Sequence, residues 1–218
     1  MSRKAILIGA SGLIGSNLLQ VILDGSYYSD VLTLSRSELQ ITHPKLVKKI
    51  INFDDTSSFE NLIYGDAIFS CLGTTKGETP DNSEYKKIDH DYPLQFAELG
   101  IKNGVNQFHI VSSLGADENS SNNYLKLKGT LEKSLISLNI KSLHIYQPSF
   151  LTGDRKENRL MEKLLAPLIK LINPLLIGKL KNYRSIKALD VAKAMYNQST
   201  KEMEGTFIYP SEQIKKLV

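Results

Sequence analysis

The stretch Gly9-Ala-Ser-Gly-Leu-Ile-Gly constrains this chain more than any other. Before it runs Lys4–Ile8, a continuous apolar segment of the kind that forms a strand buried on both faces. After it, Leu13, Ile14, Leu18, Leu19, Ile22 and Leu23 recur at helical spacing. Strand, glycine turn and helix in that order suit one physical task. Glycines there permit a tight turn, close approach of the backbone to a pyrophosphate, and close contact between helix and strand. The helix start adds free N–H groups and the positive end of its dipole. Gly9, Ser11, Gly12, Leu13, Ile14 and Gly15 are therefore the candidate pyrophosphate contacts. The spacing is GxxGxxG rather than GxGxxG, so the placement between strand and helix carries the argument. A glycine-rich turn that binds nothing is the plain alternative.

The rest of the chain repeats the alternation. Strands are expected at Val31–Leu34, Leu46–Ile51, Ala67–Leu72, Gln107–Val111 and Ser142–Tyr146. Between them come a short helix near Phe59–Ile63, a long one over about Tyr85–Lys102, and another beginning near Asn123. Strands separated by helices pair in parallel through right-handed crossovers, with helices on both faces. The fold class is α/β, a Rossmann-type doubly wound sheet in the order 3-2-1-4-5-6, with a possible seventh strand at Thr206–Tyr209 and a small C-terminal helical cap. A length of 218 residues and 41% apolar content suit a single domain over 1–218.

The carboxyl ends of the strands carry the remaining candidates. The second strand ends Ser35-Arg36, with no carboxylate until Glu38. Specificity for NAD normally places an acidic residue there to grip the ribose diol, whereas an arginine can pair with a 2′-phosphate. NADP(H) is favoured over NAD(H) on this basis; a solvated surface arginine is the other reading. The fourth strand ends in Cys71-Leu-Gly-Thr-Thr. There Leu72 and Gly73 would let a cofactor pass close to the backbone, Thr74 would offer a hydroxyl, and Cys71 reads as a small buried residue rather than a nucleophile. Asp89 and Asp91 either orient the nearby helix or catalytic loop or are simply solvated.

Tyr124 and Lys128, in Tyr-Leu-Lys-Leu-Lys-Gly, stand four residues apart and share one helical face. They follow a strand ending in Ser112-Ser113. A tyrosine hydroxyl can donate a proton to a substrate carbonyl during reduction. A phenol ordinarily titrates near pH ~10 and needs a neighbouring positive charge to cycle at neutral pH. A serine hydroxyl can hold the substrate oxygen, which completes an acid/base, its electrostatic tuner and a positioning group.

These segments, with "LSR", "DHDYP", "VSSLGAD", "YLKLKGTLE" and "YQPSFLTGDRKENR", resemble the short-chain dehydrogenase/reductase superfamily. Within it they are similar to the atypical branch of HIV Tat-interacting protein-like NAD(P)-binding oxidoreductases, over nearly the whole chain. The resemblance implies Ser113, Tyr124 and Lys128 as catalytic triad, with Lys128 also holding the nicotinamide ribose. It further implies a cofactor role for Gly9, Gly12, Gly15, Arg36 and the Leu72-Gly73 region. The expected activity is hydride transfer to or from a small carbonyl or alcohol substrate. The alternative is a nucleotide-sensing interaction module with little or no catalysis. One departure is Gln147, where this family usually has arginine before proline.

After Pro148 the pattern changes. Residues 155–187 carry a net charge of +7, and the run Leu164–Ile177 is rich in leucine but broken by Pro167 and Pro174. That run is shorter than the ~20 residues needed to span a bilayer. Residues 150–187 are expected to cap the substrate side or to form an interface with a second copy, a protein partner or an anionic surface. The overall charge of +4 requires neither nucleic acid nor membrane. A lone cysteine and a start without a leader-type pattern suggest the cytoplasm. His43, His90, His109 and His144 lack metal-ligand spacing, so no metal is expected.

Overall fold

The computed structural model describes residues 2–153 and 178–218. Its strands are β1 (Lys4–Ile8), β2 (Asp30–Ser35), β3 (Leu46–Ile50), β4 (Ala67–Ser70), β5 (Gln107–Val111), β6 (Ser142–Gln147), β7 (Leu151–Thr152), β8 (Ile186–Lys187) and β9 (Gly205–Pro210). The described helices are α1 (Leu13–Asp24), α2 (Asn82–Lys86), α3 (Tyr92–Lys102), α4 (Asn123–Ser137), α5 (Ala188–Ser199) and α6 (Ser211–Lys215). Seven strands form one sheet in the order β3-β2-β1-β4-β5-β6-β9, and every neighbouring pair is parallel. The chain winds outward from β1 to β3 and then returns to β4. The β1/β4 boundary is thus the topological switch point, where such sheets open a crevice at their carboxyl edge.

Alternation along the strands feeds two cores. Ala5 and Leu7 of β1 face α1 and α5, packing with Leu18, Ile22, Val191 and Met195. Ile6 and Ile8 face the other way, toward Phe96 of α3 and Leu131 and Leu135 of α4. Each such aliphatic side chain contributes roughly 1.5–3 kcal/mol when fully buried, so both faces clamp the strand ends that carry the site.

Several local expectations need correction. The helical candidate at Phe59–Ile63 is a pair of 3-10 turns, Thr56–Ser58 and Glu60–Leu62. The expected helix over Tyr85–Lys102 is interrupted by a π turn at Lys87–Asp91. Pro93, in the first turn of α3, has no N–H to bond the carbonyl one turn back, and its ring crowds that carbonyl. Widening the preceding turn relieves both problems. The small parallel pair β7-β8 was not foreseen. Most of the proposed cap, including the Leu164–Ile177 run, lies outside the described residues.

Two features of the sheet's β5–β6 half place α4. The Asn122 side chain accepts from the N–H groups of Tyr124 and Leu125, so α4 begins with Tyr124 in its first turn. One turn past Tyr124, Gly129 admits the incoming loop: a Cβ there would stand 2.3 Å from both the carbonyl carbon of Asp117 and the nitrogen of Glu118. The Asp117 N–H donates to the Leu125 carbonyl at 3.1 Å, so loop and helix are joined backbone to backbone.

Deeper in the sheet, Phe69, His109, His144 and Phe207 form one rung across β4, β5, β6 and β9. The two imidazoles stack 4.3 Å apart. His109 pairs with the Tyr146 hydroxyl at 3.2 Å and with Gln107 at 3.0 Å. His144 pairs with the Ser142 and Tyr209 hydroxyls, both at 3.0 Å. They are satisfied core residues. Burial first, and then the neighbouring His144, holds His109 well below its ordinary range. Burial, then Lys201, pushes His144 down to about 4.

Two outcomes are expected. Alanine is intrinsically better than glycine in a helix by ~1 kcal/mol, but the backbone contacts at Gly129 cannot yield, and overpacking costs ~1–3 kcal/mol or more. Gly129→Ala should therefore lower the melting temperature; a rise would contradict this packing. The second concerns pH. The folded state keeps both imidazoles neutral, while the unfolded chain protonates them below its ordinary value near ~6.5. Stability is therefore full above that value and falls as pH drops toward the depressed folded values, by at most ~1.4 kcal/mol per pH unit for each histidine. Denaturant titrations from about pH 7 to about pH 5 should show this slope, and His144→Phe should reduce it. An unchanged slope would contradict the assignment.

Candidate active site

The glycine turn is pressed against the end of β4. Gly9 has a φ of +80°, and a Cβ on it would stand 2.5 Å from the carbonyl carbon and oxygen of Cys71. At Gly15 a Cβ would lie 2.0 Å from the Gly9 carbonyl oxygen, so α1 can start only where glycine stands. The Gly12 N–H closes the turn onto that oxygen at 3.1 Å. Among the described residues no side chain caps α1, and its first turn holds no acidic residue. The structure places Ser11 and Gly12 at the surface, leaves Leu13 half-buried, and tucks Ile14 and Gly15 inside. Uncapped N–H groups beside exposed backbone fit an anionic pyrophosphate.

Arg36 lies just past β2 and is largely exposed, with Nη1 3.8 Å from Glu84 Oε1. A pair so open to solvent holds its partners weakly, so the guanidinium is free to turn to another anion. Cys71 is half-buried at the end of β4, and burial of its thiol pushes it up to about 12, which disfavours the thiolate that a nucleophile needs.

Beyond Cys71 the strand end meets α4. Lys128 is buried, and its ammonium lies 2.8 Å from Oδ1 of the equally buried Asp89. The approach is off the line of a hydrogen bond, so charge pairing, not a directed bond, holds it. Oδ2 of Asp89 accepts the Thr74 N–H at 2.8 Å. A Cβ on Gly73 would be 3.6 Å from Asp89 Oδ1 and 3.9 Å from Lys128 Nζ, which puts the exposed Gly73 backbone directly over the ion pair. The Thr74 hydroxyl is turned to Thr79, 2.9 Å away.

Tyr124, one turn nearer the helix start, is 38% exposed. Among the described residues its hydroxyl has no hydrogen-bond partner, Lys128 and Ser113 included. The adjacent serines part ways. Ser112 is buried and donates to Glu132, whereas the hydroxyl of the half-buried Ser113 makes, among the described residues, only a long 3.4 Å contact with the Leu114 carbonyl. Ser113 is thus the serine with a hydroxyl to spare.

Sequence reasoning left Asp89 and Asp91 undecided, and the structure separates them. Asp91 is partly exposed beside His90 and Lys86. Burial works against its charge, but those two partners outweigh it and hold the carboxyl below the usual range. Glu132 and Tyr85 were not singled out. Glu132, eight residues after Tyr124 on the same face, accepts from Gln147 Nε2 at 3.0 Å on each oxygen. Burial raises its pKa, against the pull of Ser112, Gln147 and the Lys128 charge. Gln147 gives that carboxylate hydrogen bonds but no counter-charge. The Tyr85 phenol is raised by burial, then by the charges of Asp89 and Tyr124. It borders the site, though no motif marks it.

No protein-family profile matches the chain. It is 31% identical over 160 residues to FMP52 of Saccharomyces cerevisiae, named as a mitochondrial protein, across 72% of this chain and 69% of that one. It is 32% identical over 162 residues to HTATIP2 of Rattus norvegicus, across 72% of this chain and 66% of that one. WbmH of Bordetella bronchiseptica, solved in complex with NAD+, is similar in structure with a TM-score of 0.72 at 15% identity, over 97% of this chain and 76% of that one. That likeness is one of fold. The expected cytoplasmic location is overturned by the FMP52 relatives, whose name places them in mitochondria. A lone cysteine constrains redox chemistry, not address. By sequence, the chain belongs to the atypical short-chain dehydrogenase/reductase family that includes FMP52 and HTATIP2.

Proposed function

We propose that the protein is an NADP(H)-dependent oxidoreductase that transfers a hydride to or from a small carbonyl or alcohol substrate. The observation that carries this reading is the pairing on α4: Lys128 buried beneath the Gly73 backbone, and Tyr124 exposed one turn above it. The uncapped start of α1, with its exposed Ser11-Gly12 backbone, suits the pyrophosphate of the same nucleotide. WbmH, solved with NAD+, and the dehydrogenase/reductase family agree with a nicotinamide cofactor. A bound nicotinamide supplies the hydride or accepts it.

The chain's own residues would handle the proton and the oxygen. Ser113 Oγ donates to the substrate oxygen and fixes its position. In reduction, Tyr124 Oη gives its proton to that oxygen, and the phenolate left behind is favoured by the Lys128 ammonium. In oxidation the alcohol proton returns to Tyr124. Arg36, paired among the described residues only loosely with Glu84, supports NADP(H) over NAD(H) by offering fixed donors to a 2′-phosphate.

Calorimetric titration should show tighter binding of NADPH than of NADH, and Arg36→Ala should remove most of the difference. Equal affinities in the unaltered protein would reject the preference. For the chemistry, a panel of small carbonyl compounds is screened with NADPH. Tyr124→Phe, which keeps the ring and removes the proton, should lower turnover by ~10² or more while nucleotide affinity stays the same. Turnover unaffected by that substitution would remove Tyr124 from its role. Nucleotide binding with no turnover across the panel would favour a nucleotide-sensing module instead.

A further inference from the structure

A buried carboxylate needs its charge matched and its lone pairs occupied, or it is severely destabilising. Asp89 has its charge matched and one of its oxygens hydrogen-bonded by partners from two different parts of the chain, while Oδ1 has no directed hydrogen bond among the described residues. Its Oδ1 faces the Lys128 ammonium of α4 at 2.8 Å, and its Oδ2 takes the Thr74 N–H of the loop after β4 at 2.8 Å. It sits in the π turn Lys87–Asp91, a rare geometry that recurs at functional sites because the wide turn redirects a side chain. Within that turn Ile88, Asp89 and His90 are buried while Lys87 and Asp91 are not. The neighbouring Gly73 leaves no side chain between the ion pair and the exposed loop backbone.

We infer that Asp89 is a positioning residue whose single carboxylate sets the nucleotide-facing loop Leu72–Thr74 and the Lys128 ammonium relative to each other. The inference rests on the nicotinamide-site reading above and extends it. Each oxygen has a separate task. Oδ2 fixes the loop backbone over which the cofactor would pass. Oδ1 holds the Lys128 ammonium under Gly73 by charge, without a directed bond, so the ammonium has donors for a ribose hydroxyl. A shift of the loop therefore moves the lysine, and the lysine's position registers whether the loop is in place.

The two tasks can be separated by substitution. Asp89→Asn retains an oxygen for the Thr74 N–H but loses the charge; Asp89→Ala loses both. Titration with NADPH should leave the Asn variant within about threefold of the unaltered protein and weaken the Ala variant by about tenfold or more, the scale of one lost hydrogen bond that orders a loop. Melting curves on every variant confirm that it is folded. A second measurement does not depend on nucleotide. Lys128→Met leaves the buried Asp89 carboxyl without its counter-charge and should lower the melting temperature, and adding Asp89→Asn to it should restore much of the loss.

Equal NADPH affinity in the unaltered, Asn and Ala proteins would overturn the inference and leave the nicotinamide reading standing. So would a Lys128→Met protein that gains nothing from Asp89→Asn. Absence of any nucleotide binding by the unaltered protein would overturn the nicotinamide reading itself, and the positioning role with it.

Discussion

At Gly15 a Cβ would lie 2.0 Å from the Gly9 carbonyl oxygen, and at Gly9 one would lie 2.5 Å from the Cys71 carbonyl carbon. Backbone touches backbone in succession from α1 through the turn to β4, and no side chain fits between them. This contact fixes the start of α1 over the switch point of the sheet. From there the N-terminal N–H groups of α1 and the open backbone after β4 share one edge. The β1 core residues on both faces keep that edge rigid.

The other half of the site depends on a different force. Lys128 and Asp89 are both withdrawn from water. Removing either would strand a charge at a cost of several kcal/mol. Such a pair adds little net stability compared with an apolar pair of the same volume, so its value lies in position. Glu132, close enough for Lys128 to act on its carboxyl and bonded to Ser112 and Gln147, completes a polar column along the inner face of α4. That column engages Ser112 and leaves the Ser113 hydroxyl, among the described residues, with only a weak contact.

Much of the fold was legible because parallel strands buried on both faces read as short apolar runs between amphipathic helices. The strand order and the added parallel strand at Gly205–Pro210 agree with that pattern. The π turn was not legible, since Tyr85–Lys102 keeps helical spacing and Pro93 alone does not say whether a helix starts, kinks or widens. Asp89 was ambiguous for a related reason. A carboxylate in a charged stretch looks solvated until the widened turn points it at Lys128. Gly129 looked like an ordinary helix residue because the Asp117-Glu118 backbone that excludes its side chain arrives from the preceding loop. The histidines of β5 and β6 show only a lack of metal-ligand spacing in the sequence; their stacking with Phe69 and Phe207 follows from register, which a single sequence does not display.

The central claim is that one carboxyl edge, from the start of α1 to the Lys128 ammonium, forms a nicotinamide nucleotide site. A crystal structure of the protein grown with NADPH tests it most directly. The account predicts pyrophosphate oxygens at about 3 Å from backbone N–H groups between Ser11 and Ile14, with the nicotinamide ribose beside Lys128 and the ring open to Tyr124. A pyrophosphate bound away from the start of α1, or a nicotinamide ring remote from Lys128, would contradict it.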